Sequence, residues 1–190
     1  MLTPHQFASV QPKCVLQSLP SLMVQGRPRD GLLPQHLKYC ISITGGNAST
    51  SLLTSLTELV NYIANGHLPT DLRPFLYGAQ LHWLCRSNGG LRPVAVGCTY
   101  RRLVAKVCLR PFIPRLRKLL LPSQVGVETP LGCEAAVHAT CYFMDQPHND
   151  KVLLKLDVKN AFNSIRRDTI LQEAQKHLAE IYPFIWDCHS

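Results

Sequence analysis

Residues 152–164 read VLLKLDVKNAFNS, an apolar run that carries one carboxylate before it reaches a polar turn. The length of the run and its β-branched content predict a buried strand over 151–158. Because an unpaired charge is costly to bury, Asp157 needs a partner in such a strand. Lys155 or Lys159 is one possible partner, and the start of a helix near Asn160 is another. A metal ion held at the end of a rigid strand is the third.

Basic residues dominate the middle of the chain. The formal net charge is +8, and no Asp or Glu occurs from Leu72 to Val127, whereas most of the twelve acidic residues lie at or after Glu134. A field of one sign attracts a polyanion, most often nucleic acid. A solvated basic face without a partner is the alternative. The basic residues of this span are Arg73, Arg86, Arg92, Arg101, Arg102, Lys106, Arg110, Arg115, Arg117 and Lys118.

Length and composition exclude several classes of protein. The chain has 190 residues, 46% of them hydrophobic, enough for one sizeable domain or for one domain and part of another. No apolar run approaches the ~18 residues of a membrane span, so no membrane partner is expected. The start lacks the pattern of a secretory signal. The eight cysteines are scattered without a CxxC pair, which favours reduced thiols in an intracellular, non-secreted protein.

The first half of the chain divides into a lead-in and a patterned region. Residues 1–46 are rich in Pro, Gln, Ser and Gly, and we expect a disordered or loop-rich segment there. Apolar residues at helical spacing predict a helix over 50–65, and a short helix over 70–76 follows. Strands over 79–84 and 91–97, joined through a Gly-Gly turn, predict a β-hairpin.

The second half is mainly helical by the same criteria. Thr99 is a candidate N-cap for a helix over 100–109, on which Arg102, Lys106 and Arg110 share one face. A shorter helix to about 121, a loop over 122–132 and a helix over 133–144 come next. A last helix over 167–178 begins with a possible capping box, Thr169–Gln172, and the final twelve residues begin another helix.

Three segments resemble the reverse transcriptase of non-LTR (LINE-like) retrotransposons. They are GGLRPVAVGCTYRRLVAKV (89–107), PSQVGVETPLGCEAAVHA (122–139) and LLKLDVKNAFNSIRRD (153–168), in the order and at about the spacing of that family. The resemblance spans residues 50–178. It implies an α+β fold, a partial right-hand polymerase with helical fingers and a β-hairpin over 47–150. The first palm strand and the start of the palm would occupy 151–190.

The resemblance also implies a catalytic role for the apolar run. Asp157 matches the first metal-binding carboxylate of the family and, with the carbonyl of Val158, would hold two Mg²⁺ ions and the incoming triphosphate. Asn160 and Ala161 match positions whose backbone amides lie near the triphosphate. Phe162 matches the ring that excludes a 2′-hydroxyl, although ordinary helix packing would also explain an aromatic residue there.

Two arginines of the hairpin match nucleotide-binding positions. Arg92 matches the fingers arginine that contacts the deoxynucleotide triphosphate, a role suited to a permanently charged, bidentate guanidinium. Arg86 stands where the family often has a lysine. Surface solvation is the alternative for both residues.

Further positions match contacts with an RNA template and a DNA primer. Arg101 and Arg102 lie in the next fingers motif, where contact with template phosphates is expected, and Lys106 extends the same basic helix. Gln124 and Gly126 match a loop near the template strand, although a glutamine with only a loop role would fit equally well.

The sequence departs from the family at one essential point. The family completes its metal site with two adjacent aspartates, and no adjacent acidic pair follows Asp157. One carboxylate does not hold two Mg²⁺ ions, so we expect no polymerase activity from this polypeptide alone. The alternatives are a non-enzymatic nucleic-acid-binding protein and a remnant without function. The family's life cycle implies a nuclear or cytoplasmic location, and the sequence leaves the oligomeric state open.

Overall fold

A computed structural model describes residues 7, 9–22, 31–42, 46–85, 87, 89–147, 150–158 and 161–189, without the side chains of residues 162 and 163. Over these residues the protein belongs to the α+β class, with helices and one two-stranded antiparallel sheet. The chain forms two compact units. Unit 1 comprises Met1–Arg110 and Arg167–Ser190, and unit 2 comprises Pro111–Arg166. The boundaries at 47–150 and 151–190, expected from the resemblance, stay predictions.

Unit 1 contains most of the helices and the sheet. Its helices are α1 (Pro12–Ser18), α2 (Pro34–Cys40), α3 (Gly46–Ala64), α4 (Arg73–Tyr77), α5 (Thr99–Leu109), α9 (Arg167–His177) and α10 (Tyr182–His189), with β1 (Ala79–Cys85), β2 (Leu91–Gly97) and a 3-10 turn at Ala179–Ile181. The predicted helices that correspond to α3, α4, α5, α9 and α10 are therefore confirmed, with ends shifted by a few residues.

The core of unit 1 lies where α1, α3 and α5 pack together. Val15, Val60, Ile63 and Leu103 are almost completely buried. The apolar positions of α3 recur at helical spacing, so that one side of the helix is buried while its polar side remains in water. This burial is the main source of stability for the unit.

The lead-in contains ordered helices that its composition did not predict. Within residues 1–46 the structure places α1 and α2, and Val15 and Leu19 of this segment are buried. The expectation of a disordered or loop-rich segment is wrong for α1 and α2. Asn61 of α3 explains part of this order, because its side chain accepts a bond from the Val10 amide at 2.6 Å and donates to the Val10 carbonyl at 3.1 Å. Long-range contacts of this kind override weak local propensity.

The predicted hairpin is confirmed. β1 and β2 are antiparallel, with Ala79 opposite Gly97 and Cys85 opposite Leu91. Side chains alternate between the two faces. One face carries Leu81, Trp83 and Leu91, each of which is more than half exposed.

Helix α5 starts one residue earlier than predicted and without the predicted cap. Thr99 is the first helical residue, and Cys98 is the N-cap. The Thr99 hydroxyl is fully buried and donates to the carbonyl of Leu32, outside the helix. A buried hydroxyl needs a hydrogen-bond partner, and Leu32 supplies the acceptor. Thr99 therefore ties α5 to the segment before α2.

Unit 2 has little interior. A 3-10 turn at Arg110–Phe112 begins at the residue that precedes this unit and leads into α6 (Ile113–Leu120); α7 (Gly132–Asp145) and the short α8 (Ala161–Ser164) follow. Among the described residues of this unit, Gly132 is the only buried one. The ammonium of Lys151 donates to the carbonyls of Phe143 and Gln146 near the end of α7. A cation suits that position because the carbonyls at the end of a helix are unsatisfied.

Two local predictions are wrong. The structure assigns no strand to residues 151–158, and Val152, Leu154 and Leu156 are each at least 74% exposed. A strand needs neighbours that complete its hydrogen bonds, and β1 and β2 make up the sheet of the described residues. The capping box at Thr169 does not form, because Thr169 lies inside α9 and its amide bonds the carboxylate of Asp168.

No helix in the described part of the chain is long and apolar enough to cross a membrane.

Candidate nucleic-acid interface

A small pocket lies at the junction of β2 and α5 in unit 1. Its volume is about 160 Å³, and it is lined by Ala95, Val96, Gly97, Arg101 and Arg102. Two arginines thus line the pocket at the end of a strand, in the part of the sequence that has no acidic residue. Guanidinium groups bind phosphate oxygens through paired N–H donors, so the pocket is suited to a phosphate group.

The guanidinium of Arg101 is placed by two neighbours. Its Nη1 donates to the carbonyl of Tyr77, the last residue of α4, at 3.0 Å. Its Nη2 lies so close to Gly97 that a Cβ atom at that position would come within 2.1 Å of it. Arginine has five N–H donors, so one bond to Tyr77 leaves others for an anion.

Arg102 and Lys106, the other two residues of α5 that were predicted to contact nucleic acid, have surroundings different from those of Arg101. Arg102 is half-buried and lines the pocket beside Arg101. Lys106 is exposed, and its ammonium donates to the carbonyl of Ser21 at 2.6 Å. The structure therefore brings Arg101 and Arg102 together at one pocket, whereas Lys106 ties α5 to the segment that follows α1.

The hairpin presents Arg92 to solvent. Arg92 is exposed near the start of β2 and stands opposite Leu84. Arg86 lies outside the described residues. The nucleotide-binding roles of both arginines stay predictions.

Gln124 and Gly126 lie together in unit 2. The side-chain carbonyl of Gln124 accepts a bond from the Gly126 amide at 2.7 Å. This hydrogen bond closes the loop after α6. It agrees with the alternative in which Gln124 has only a role in the loop. The role of Gln124 and Gly126 near a template stays a prediction.

The residues of the predicted metal site are exposed where they are described. Asp157 and Val158 lie in the exposed segment 151–158, and Ala161 is the exposed first residue of α8. Asn160 and the side chain of Phe162 lie outside the described residues. No group of three or more His, Cys, Asp or Glu that could hold a metal ion occurs in the described part of the chain. The roles of Asp157, Val158, Asn160, Ala161 and Phe162 in binding Mg²⁺ and a triphosphate stay predictions.

A polar cluster of Arg73, Tyr77 and Asp187, which contacts Arg101 through the Tyr77 carbonyl, was not predicted from sequence. Asp187 of α10 forms an ion pair with Arg73 of α4, with 3.0 Å between Oδ1 and Nη2, and its side chain is only 4% exposed. Tyr77 lies one turn further along α4, and its ring makes a T-shaped contact with that of Phe184, with 6.2 Å between the ring centroids. No local pattern reveals this cluster, because its two halves are more than one hundred residues apart in the sequence.

The surroundings of this cluster shift several pKa values. Burial raises the pKa of Asp187 above its ordinary value of 3.8, although Arg73 acts in the opposite direction. Burial, with Asp187 and Cys188 nearby, also raises the pKa of Tyr77. The pKa of the Cys188 thiol is raised by burial to about 11, against the lowering effect of Arg101. Tyr77 and Cys188 are therefore neutral at pH 7, and the arginines supply the positive charge here.

Comparison with known proteins gives no relative for this chain: no protein family, curated protein or solved structure matches it. The resemblance to reverse transcriptases therefore depends on the sequence motifs alone.

Proposed function

We propose that this chain binds nucleic acid, and that it corresponds to the fingers and the start of the palm of a non-LTR type reverse transcriptase. Its own residues would contact the sugar–phosphate backbone of an RNA template paired with a DNA primer. Deoxynucleotide triphosphates would be ligands of the same region through Arg92 and Arg86.

One observation carries the proposal: Arg101 and Arg102 line a single pocket within a part of the sequence that has no acidic residue. A phosphate in this pocket would lie beside two arginines, and residues 72–127 supply no carboxylate that would repel it. Binding would release counterions from the nucleic acid, so its affinity would fall steeply as the salt concentration rises. Backbone contacts of this kind carry no base specificity.

The proposal does not extend to polymerisation by this chain. Two-metal nucleotidyl transfer needs several carboxylates around the ions, and the described residues offer Asp157 without such a group. We therefore expect binding of a primer–template duplex without extension of the primer.

The test is a pair of assays on one poly(rA)/oligo(dT) duplex. Binding is measured by fluorescence anisotropy, and primer extension is measured with Mg²⁺ and deoxynucleotide triphosphates present. We expect salt-sensitive binding and no extension. Arg101→Ala and Arg102→Ala should each weaken binding by about three- to tenfold, as expected for the loss of roughly one phosphate contact.

Lys176→Ala is the matched control, because it removes one positive charge from an exposed site in α9 of the same unit. Its affinity should stay close to that of the wild type. Equal losses in all three variants would indicate a general charge effect and contradict a specific pocket. Extension that disappears in Asp157→Asn would contradict the proposed lack of catalysis.

A further inference from the structure

Helix α10 contributes the buried partner of an ion pair with α4, in which the Arg73 side chain is 29% exposed. Asp187 is almost fully buried against Arg73, and its Oδ2 atom has no hydrogen-bond partner among the described residues. The hydroxyl of Tyr77 is likewise buried without a partner in that part of the chain. Unsatisfied buried polar atoms are costly, and an apolar pair of similar volume would often stabilise a fold as well or better. The cluster therefore calls for an explanation beyond packing.

Two side chains of α10 contact α4. Asp187 holds Arg73 in the first turn of α4, and Phe184 packs edge-on against the ring of Tyr77 in its last turn. Helix α4 has only five residues, too few to be stable without tertiary contacts. Its position in unit 1 thus depends on the neighbours it packs against, which are α10 and α5.

The end of α4 in turn fixes Arg101. The carbonyl that accepts from Arg101 belongs to Tyr77, the last residue of α4. Such terminal carbonyls lack helical partners and carry partial negative charge, which favours a bond to a cation. A shift of α4 would therefore move the acceptor that holds this guanidinium beside the pocket.

From this chain of contacts we propose that Asp187 is a positioning residue for the nucleic-acid site. Through Arg73 and α4 it keeps the Tyr77 carbonyl where it fixes Arg101, so that Arg101 meets a phosphate in the pocket with little loss of side-chain freedom. Asp187 does not itself contact the nucleic acid. This inference rests on the proposed function, and it adds that α10 controls the affinity of the pocket.

The test is a double-mutant cycle on the full chain, with the poly(rA)/oligo(dT) duplex as the probe. Asp187→Asn keeps the shape of the side chain and removes its charge. We expect it to weaken binding by about three- to tenfold in the wild-type background and to have no further effect in Arg101→Ala. Asp187→Asn should also lower the slope of log Kd against log salt by about one, which is the change expected for Arg101→Ala.

Glu58→Gln is the matched control, because it also removes one negative charge and lies at an exposed site of α3 in the same unit, outside the cluster. Its affinity should equal that of the wild type. Thermal unfolding identifies variants that fail to fold. If Asp187→Asn is one of them, Phe184→Leu loosens the same helix without changing charge, and the same dependence on Arg101 is expected.

The outcomes separate this inference from the proposed function. If the wild type does not bind the duplex, both are wrong. If Arg101→Ala weakens binding while folded Asp187→Asn binds like the wild type, only the inference is wrong. Additive losses from Asp187→Asn and Arg101→Ala would also overturn it, because a positioning residue acts only through the residue it positions.

Discussion

At the scale of single residues, Gly97 at the end of β2 is important because its missing side chain leaves room for Arg101. Gly97 is buried, and the guanidinium of Arg101 occupies the space that a side chain would take. The glycine and the arginine are four positions apart, so the sequence contains both parts of this contact. Their contact depends on the bend between β2 and α5, which sequence patterns do not specify.

Gly97→Ala should displace Arg101 and leave the fold intact, because the atom in the way is the end of a flexible side chain. We expect a loss of affinity for the duplex close to that of Arg101→Ala, with a small change in the free energy of unfolding. Gly78→Ala is the contrasting variant, since its Cβ would come within 2.3 Å of the backbone carbonyl of Pro74. It should lower stability more than Gly97→Ala does. Wild-type affinity in Gly97→Ala would contradict the account.

Asp187 should give the protein a distinctive dependence on pH. Because burial raises its pKa, the folded state holds a proton at Asp187 that the unfolded state has already lost at the same pH. Its contribution to stability is thus present below the ordinary value of 3.8 and is lost as pH rises through the folded pKa.

We expect the free energy of unfolding of the wild type, relative to Asp187→Asn, to decrease as pH rises above 3.8. Urea unfolding of both proteins over a pH series measures this difference. His189 acts in the opposite sense below 6.5, since burial, Arg167 and Arg101 lower its pKa, but both proteins contain it and its effect cancels. If the free energy of unfolding of the wild type relative to Asp187→Asn instead increased with pH, the effect of Arg73 on the pKa of Asp187 would outweigh that of burial.

At the scale of elements, local pattern predicted most helices and the hairpin, because their apolar periods and turn residues lie within each segment. Prediction from local sequence pattern failed where an element depends on residues that are distant in the sequence. The short α1 follows a segment whose backbone is hydrogen-bonded by Asn61 of α3, and the composition of residues 1–46 does not reveal this contact. Residues 151–158 have the composition of a buried strand but lack strand partners among the described residues.

Helix α7 should be far less stable than α5. Leu103, Val104 and Val107 of α5 are almost fully buried, whereas Val137 and Tyr142 of α7 are at least 60% exposed. A helix of this length is marginal in water without packing. We expect the amides of α7 to exchange hydrogen at rates near those of an unfolded chain, with the amides of α5 as the protected reference in the same sample. Equal protection in the two helices would contradict this expectation.

At the scale of the whole molecule, the candidate site could be predicted only in part. Charge and motif both indicated Arg101 and Arg102, and the structure brings these two together at one pocket. The ion pair between Arg73 and Asp187 could not be predicted, because α10 follows α4 by more than one hundred residues and neither helix carries a recognisable motif. Long-range packing, which determines such contacts, leaves no trace in local periodicity.

The exposed apolar surface of unit 2 has a consequence for the molecule as a whole. Leu131, Tyr142 and Leu154 are each at least 70% exposed, and exposed apolar surface of this extent promotes association. The binding of nucleic acid to unit 1 should therefore be measured at low protein concentration.

The most direct test of the account is the affinity for the poly(rA)/oligo(dT) duplex as a function of salt, for the wild type and for the double variant Arg101→Ala/Arg102→Ala. We expect a linear fall of log affinity with log salt for the wild type. The slope of the double variant should be lower by about two, because two phosphate contacts are lost. Equal slopes for the two proteins, or no binding by the wild type at low salt, would contradict it.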